Sequence, residues 1–198
     1  MISIYSYPQM PEEMATHWNS EGQVTGYMSK LWGLFLMPLI LVGLTLFFIV
    51  IPKIDPLKTN IEKFRKYYNG FIILFLLFMF SIHFHIILWN FGIKISPNVI
   101  LPIGLGPLFF YTGILCEKAK RNWFIGIRTP WTLSSDRVWE KTHKIGGKLF
   151  KVTGIVVLFG IFFQEHLVFF ILVPILLVTV YTIVYSYFEH QKEKTKTN

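Results

Sequence analysis

Long apolar runs separated by short charged connections set the pattern of the chain. No Asp, Glu, Lys or Arg lies between Lys30 and Lys53, Lys66 and Lys94, Lys94 and Glu117, Lys151 and Glu165, or Glu165 and Glu189. Four of these runs exceed the ~20 helical residues needed to cross ~30 Å of hydrocarbon. The run after Lys151 reaches a marginal span only if it begins near Leu149, with Lys148 and Lys151 extending their ammonium groups to the headgroups. An unpaired backbone group costs several kcal/mol in lipid, so spanning segments are helices or parts of closed barrels. Continuous rather than alternating apolar character argues against barrel strands. The pattern therefore predicts an all-α polytopic membrane helix bundle, with transmembrane helices at about 31–51, 70–91, 99–116, 149–164 and 167–188.

Details within the runs refine this. Trp32, Trp89, Tyr67, Tyr68, Tyr185 and Tyr187 fall near predicted ends, where amphipathic rings favour the headgroup layer. Pro38, Pro102, Pro107 and Pro174 sit inside helices, each removing one backbone donor. Gly104, Gly106 and Gly113 make the third helix slim and predict that its neighbours pack closely on it.

Composition agrees with the pattern: 15% of the 198 residues are charged and 53% hydrophobic, with 20 Phe. Soluble domains average ~25% charged residues, and this chain lacks the polar side chains to cover a water-soluble globule. The net charge of +8 is mainly a topology signal. Lys53, Lys58, Lys63, Arg65 and Lys66 crowd one connection, and the bases from Lys118 to Lys151 crowd another. Lys192, Lys194 and Lys196 follow in the tail, whereas the alternate connections hold only Lys30 and Lys94. By the positive-inside rule the N-terminus lies outside and the C-terminus in the cytoplasm of a multi-pass protein of the cell membrane. The expected organisation is an outer arm (1–30), three spans (31–116), a cytoplasmic loop (117–148), two spans (149–188) and a tail (189–198). The first six residues are too few for a signal-peptide apolar region, and the single Cys116 cannot form an intramolecular disulfide. No base-reading element accompanies the positive charge, so direct nucleic-acid binding is not expected.

The connection after the third run carries the strongest local signal, Asn122-Trp-Phe-Ile-Gly-Ile-Arg-Thr-Pro-Trp-Thr-Leu133. Only Arg128 is charged among its apolar residues, so the segment must lie in the interface or plug the mouth of the bundle. Pro130 pushes Thr129 to extended geometry, and Arg128 needs a lipid phosphate, a carboxylate or helix C-terminal carbonyls as partner. Ser134-Ser135 is a plausible N-cap region ahead of Asp136. Beyond it Arg137, Lys141, Lys144, Lys148 and Lys151 recur every three or four residues. At ~100° per residue they form a stripe roughly 80° wide. A helix of this kind is expected to lie along the leaflet with its bases on anionic headgroups, or to dock an acidic or regulatory protein.

Two blocks of residues resemble a known family. Tyr7-Pro8, Pro11, His17-Trp18-Asn19, Gly22, Gly26-Tyr27 and Lys30, with Pro38 in the first span, resemble the DUF1648 module. Gly126-Ile127-Arg128-Thr129-Pro130-Trp131-Thr132-Leu133, with Trp139 and Thr142-His143-Lys144, resembles the signature of the SdpI family of bacterial and archaeal membrane proteins. The resemblance implies immunity to a secreted peptide toxin. It also implies signalling in which the toxin-bound protein holds an ArsR-type winged-helix repressor at the membrane. The partner-binding candidates it brings forward are His17, Trp18, Asn19, Tyr27, Arg128, Thr129, Pro130, Trp131, Trp139 and His143; the basic stripe adds Arg137, Lys141, Lys144 and Lys148. Relatives commonly carry a further span before the tyrosine-proline motif, so the outer segment here is expected as a free N-terminal arm.

Catalysis has little to work with. His83 and His85 stand two positions apart, ~200° around a helix, and cannot grip one ion together. Neither a metalloprotease helix motif, a nucleophile elbow nor a phosphate loop occurs, and no cofactor is expected. Alternative readings are a small transporter, for which proline-broken spans are the cue, and a purely structural membrane protein.

Overall fold

The structure is a computed structural model and describes residues 1–197. In chain order it contains α1 (Ile2–Ser6), the hairpin strands β1 (Glu13–Trp18) and β2 (Val24–Ser29), and α2 (Lys30–Ile54). Then follow α3 (Lys58–Glu62), α4 (Arg65–Asn90), α5 (Pro97–Lys118), α6 (Pro130–Ser134), α7 (Asp136–Phe159) and α8 (Leu167–Thr197). Five helices, α2, α4, α5, α7 and α8, are long and apolar enough to cross a membrane. Neighbours in sequence are neighbours in space, so the spans form an antiparallel row α2–α4–α5–α7–α8. Leu39 and Leu46 on α2 and Leu176 and Leu177 on α8 stay exposed on the outer members of the row, as lipid-facing positions must.

The closest pair is α5 with α7, and glycine is the reason. A Cβ on Gly113 would strike the Gly147 carbonyl and the Lys151 backbone, and one on Gly154 would strike the backbone of Gly106 and Phe110. Gly106 and Gly113 on one helix thus face Gly154 and Gly147 on the other, both pairs seven residues apart. In lipid, where apolar surface gives helices little reason to associate, such backbone contact supplies the packing energy.

Three expectations change. The basic helix and the fourth span are one continuous helix, α7, rather than an interfacial helix followed by a span at 149–164. No proline interrupts it, Ser135 caps its start by accepting from the Val138 amide (3.2 Å), and carboxylates on α5 and α8 neutralise the outermost bases of the stripe. Tyr68 is buried rather than in an aromatic belt, donating its hydroxyl to the Phe48 carbonyl at 2.9 Å, so α4 begins five residues before the expected 70.

The N-terminal arm is not free. β1 and β2 pair antiparallel from Glu13↔Ser29 to Trp18↔Val24. In the turn between them the Asn19 Oδ1 accepts from the Glu21 and Gln23 amides (3.1 and 2.9 Å), and Gly22 supplies the positive φ of 77°. Met10 and Met14 bury against Leu34, Ile86 and Ile87, which seats the hairpin on the ends of α2 and α4.

Candidate functional site

The two ends of the bundle carry the residues singled out from sequence, and each is built differently. At the hairpin end, Asn90 closes α4 with its amide spanning one residue of β1: Oδ1 accepts from the Ala15 amide at 2.9 Å, and Nδ2 donates to the Ala15 carbonyl at 3.0 Å. Asn98 donates to the Ser20 carbonyl at 2.7 Å and the Gln164 carbonyl at 3.2 Å, joining the hairpin turn to the α7–α8 connection. His83 hydrogen-bonds the Ser3 hydroxyl (2.9 Å) and His85 bonds the Ile95 carbonyl (2.8 Å), so these histidines hold separate parts of this end. Trp18 turns inward against His85 and Trp89, with ring centroids 5.1 and 5.3 Å away. Asn19 is spent on the turn. His17 and Tyr27 are exposed on the hairpin; a Cβ at Gly26 would come within 3.1 Å of the His17 side chain, which lies across from it.

At the basic end the tryptophan-arginine segment is a plug. Asn122 is fully buried, and its side chain folds the loop around itself. Its Oδ1 accepts from the Phe124 and Ile125 amides (3.0 and 2.6 Å), and its Nδ2 donates to the Lys120 and Ile125 carbonyls (2.8 and 2.9 Å). Buried Asp55, at the end of α2, accepts from the Leu57 and Trp123 amides at 2.6 and 2.9 Å. Ile125 then inserts among Ile51, Ile61, Phe64, Tyr68, Leu115, Ala119 and Trp139.

Trp139 and His143 fix the loop from α7. The indole donates to the Ala119 carbonyl (2.9 Å), and the imidazole stacks on the indole at 3.9 Å. His143 Nε2 accepts from the Ile127 amide at 2.9 Å; that amide can only donate, so the ring is neutral with its proton on Nδ1, which donates to the Trp139 carbonyl (2.9 Å). Gly126 has φ 113°, and a Cβ there would strike His143. Thr129 is extended as expected, but Pro130 opens a short helical turn: Thr129 and Thr132 cap each other in a capping box, and Thr129 meets the Ser186 hydroxyl of α8 at 3.0 Å. Trp131 packs edge-on against Tyr187 (5.2 Å), while Pro130 is exposed. Trp139, His143 and Thr129 therefore build the plug from within and offer no surface to a partner.

Arg128 is different. Its Nη1 donates to the Trp123 carbonyl at 2.9 Å, a loop carbonyl rather than a carboxylate or a helix end, and the guanidinium stays exposed. It stands on the lining of an apolar cavity of about 390 Å³ between α2, α4, α5, α7 and the loop.

The basic stripe is separate from this. At ~100° per residue, Trp139, His143, Gly146 and Phe150, which meet the plug or the cavity, project from the opposite side of α7. The edges of the stripe are taken: Lys141 pairs with Glu189 of α8, and Lys151 with Glu117 of α5 at 2.7 Å. Arg137, Lys144 and Lys148 along its middle remain exposed.

The plug coincides with a match to known proteins. The model of the SdpI/YfhL protein family matches residues 118–186, and that of a domain of unknown function, DUF1648, matches residues 1–42. Over 193 residues, 97% of this chain and 90% of the relative, the sequence is 26% identical to the Immunity protein SdpI of Bacillus subtilis (strain 168). The chain is similar to the SdpI/YfhL family. No solved structure matches it. The SdpI region thus takes in the plug, all of α7 and most of α8, and the DUF1648 region takes in the docked hairpin and the first half of α2.

Sequence reasoning missed the groups that hold both ends together. Asn90 and Asn98 are lone amides in otherwise apolar stretches, and that isolation is their signal, because an unpartnered polar group there would be expensive. Asn122 follows Lys118, Lys120 and Arg121, and Asp55 lies between Lys53 and Lys58, so the charged neighbours conceal these two.

Proposed function

We propose that this protein is a membrane immunity protein of the SdpI type that acts by binding, not catalysis. Its N-terminal hairpin is outside the cell and its plug and C-terminus are in the cytoplasm, the orientation favoured by the excess of Lys and Arg at the plug end. It protects the membrane from a secreted peptide toxin. The exposed His17 and Tyr27 of the hairpin are the groups from the outer motif available to that peptide. On the other side Arg137, Lys144 and Lys148 form a face to which a winged-helix repressor of the ArsR type docks. The observation that carries the reading is the likeness to Immunity protein SdpI along nearly the whole chain, hairpin and plug included.

The test is a survival assay on toxin-sensitive cells expressing or lacking the protein, challenged with peptides secreted by the source organism. Survival of the expressing cells alone against one peptide is the expected result; equal killing of both populations by every peptide overturns the proposal. For the signalling half, the repressor is expected in the membrane fraction only with intact protein and toxin. The Arg137→Gln, Lys144→Gln, Lys148→Gln triple variant should leave it soluble; undiminished recruitment removes the basic face from the account.

A further inference from the structure

The cavity behind the plug calls for a guest with an apolar body and an anionic end. Its walls are aromatic and aliphatic: Phe47 and Phe48 of α2, Phe71 of α4, Leu115 of α5, and Ile125 and Ile127 of the plug. The polar groups of the lining are spent elsewhere. Tyr68 donates to the Phe48 carbonyl and Thr112 to the Leu108 carbonyl (2.9 and 2.8 Å). The loop amides of Phe124, Ile125 and Ile127 are held by Asn122 and His143. Buried Cys116 acts as a small apolar group. Within the lining only Arg128 is charged, and among the described residues no carboxylate pairs with it. One of its N–H groups holds the Trp123 carbonyl; its others are left for a ligand.

Position selects the guest. Phe47, with half its surface exposed on the outer side of α2, borders the cavity toward the bilayer. It lies six residues, about 9 Å along the helix, before Lys53 at the charged end. An acyl chain can therefore enter sideways from the leaflet while its phosphate meets Arg128 at headgroup depth. The volume falls within the ~300–1,000 Å³ of small-molecule sites. Arginine suits a phosphate because its fork of donors matches the oxygens. We propose that this cavity is a specific site for an anionic phospholipid of the leaflet at the plug end, with one acyl chain between α2, α4 and α5 and the headgroup phosphate on Arg128.

The test is native mass spectrometry of the full chain, released from detergent with dioleoyl-phosphatidylglycerol or dioleoyl-phosphatidylcholine. One phosphatidylglycerol is expected to stay bound through activation that strips phosphatidylcholine. Arg128→Gln should weaken that retention about tenfold, the loss expected when one charge-assisted contact goes. Lys58→Gln, which removes an exposed charge at the same end but outside the cavity, should leave it unchanged. Thr112→Phe fills the cavity with every charge in place, and it too should abolish retention; it decides the matter if Arg128→Gln does not fold. Equal retention of the two lipids, an equal effect of Lys58→Gln, or full retention in Thr112→Phe overturns the site.

Discussion

At the hairpin end, side chains from the spans reach out and hold a separate β element at a few points. At the plug end, a loop holds itself with its own buried amide and inserts as a unit into the bundle. Asn90 and Asn98 tether the hairpin and His83 tethers Ser3 of α1, each through bonds of its own. Asn122 instead satisfies four backbone groups at once, and Trp139 and His143 clasp the result from α7. The difference is one of cooperativity: the hairpin meets the spans through a small cluster at their ends and can loosen while they stay packed, whereas the plug is part of the larger core between them.

Removing Asn122 should therefore have the largest effect. Asn122→Ala takes the side-chain partner from two amides and two carbonyls around a fully buried position. Each such group costs ~1–3 kcal/mol, and because their losses are not additive about 4 kcal/mol overall is expected. Unfolding followed by denaturant titration in detergent should show that loss as a shift of the whole transition. A variant that unfolds at the wild-type midpoint would mean that the loop is not part of the core.

Asn90→Ala strikes the other end and should act locally. It removes both bonds to Ala15, but Asn98 still holds Ser20, and Met14 is still buried beside Leu34. The expected loss of hairpin docking is about 1–2 kcal/mol. It should appear as faster hydrogen exchange of the β1 and β2 amides with the exchange of α5 and α7 unchanged. A fall in global stability matching that of Asn122→Ala would break the contrast between the ends.

How far these features could be seen in the sequence follows from their range. The five spans were legible because a helix in lipid must be apolar along its whole length, so gaps between charges mark them directly. Gly104, Gly106 and Gly113 correctly pointed to a closely packed third helix, yet the partner glycines 147 and 154 lie in a segment whose bases dominate its appearance. The continuity of α7 was hidden for the same reason. Lys141 and Lys151 looked like headgroup-seeking charges, and their carboxylate partners lie 48 and 34 residues away. The resemblance marked Trp139 and His143 without telling contact residues from internal braces, which only burial resolves.

The smallest expected effect belongs to the ion pair between Lys30 and Glu12. Lys30 starts α2 and meets Glu12 at 2.8 Å, with its ammonium also 5.0 Å over the Tyr7 ring. The carboxylate is 89% exposed, so water screens the pair, and such bridges contribute between ~0 and 1 kcal/mol. Glu12→Gln keeps the shape of the side chain and leaves the Lys30 amide bonded to the residue 12 carbonyl (2.8 Å). Lys30, whose side chain is 12% exposed, keeps its aromatic contact and the neutral amide oxygen of the new side chain as partners for its ammonium. Hairpin exchange rates in Glu12→Gln should stay within about twofold of wild type, against the larger change in Asn90→Ala. A loosening as large as that of Asn90→Ala would show that charge, rather than the amide tethers, seats the hairpin on the bundle.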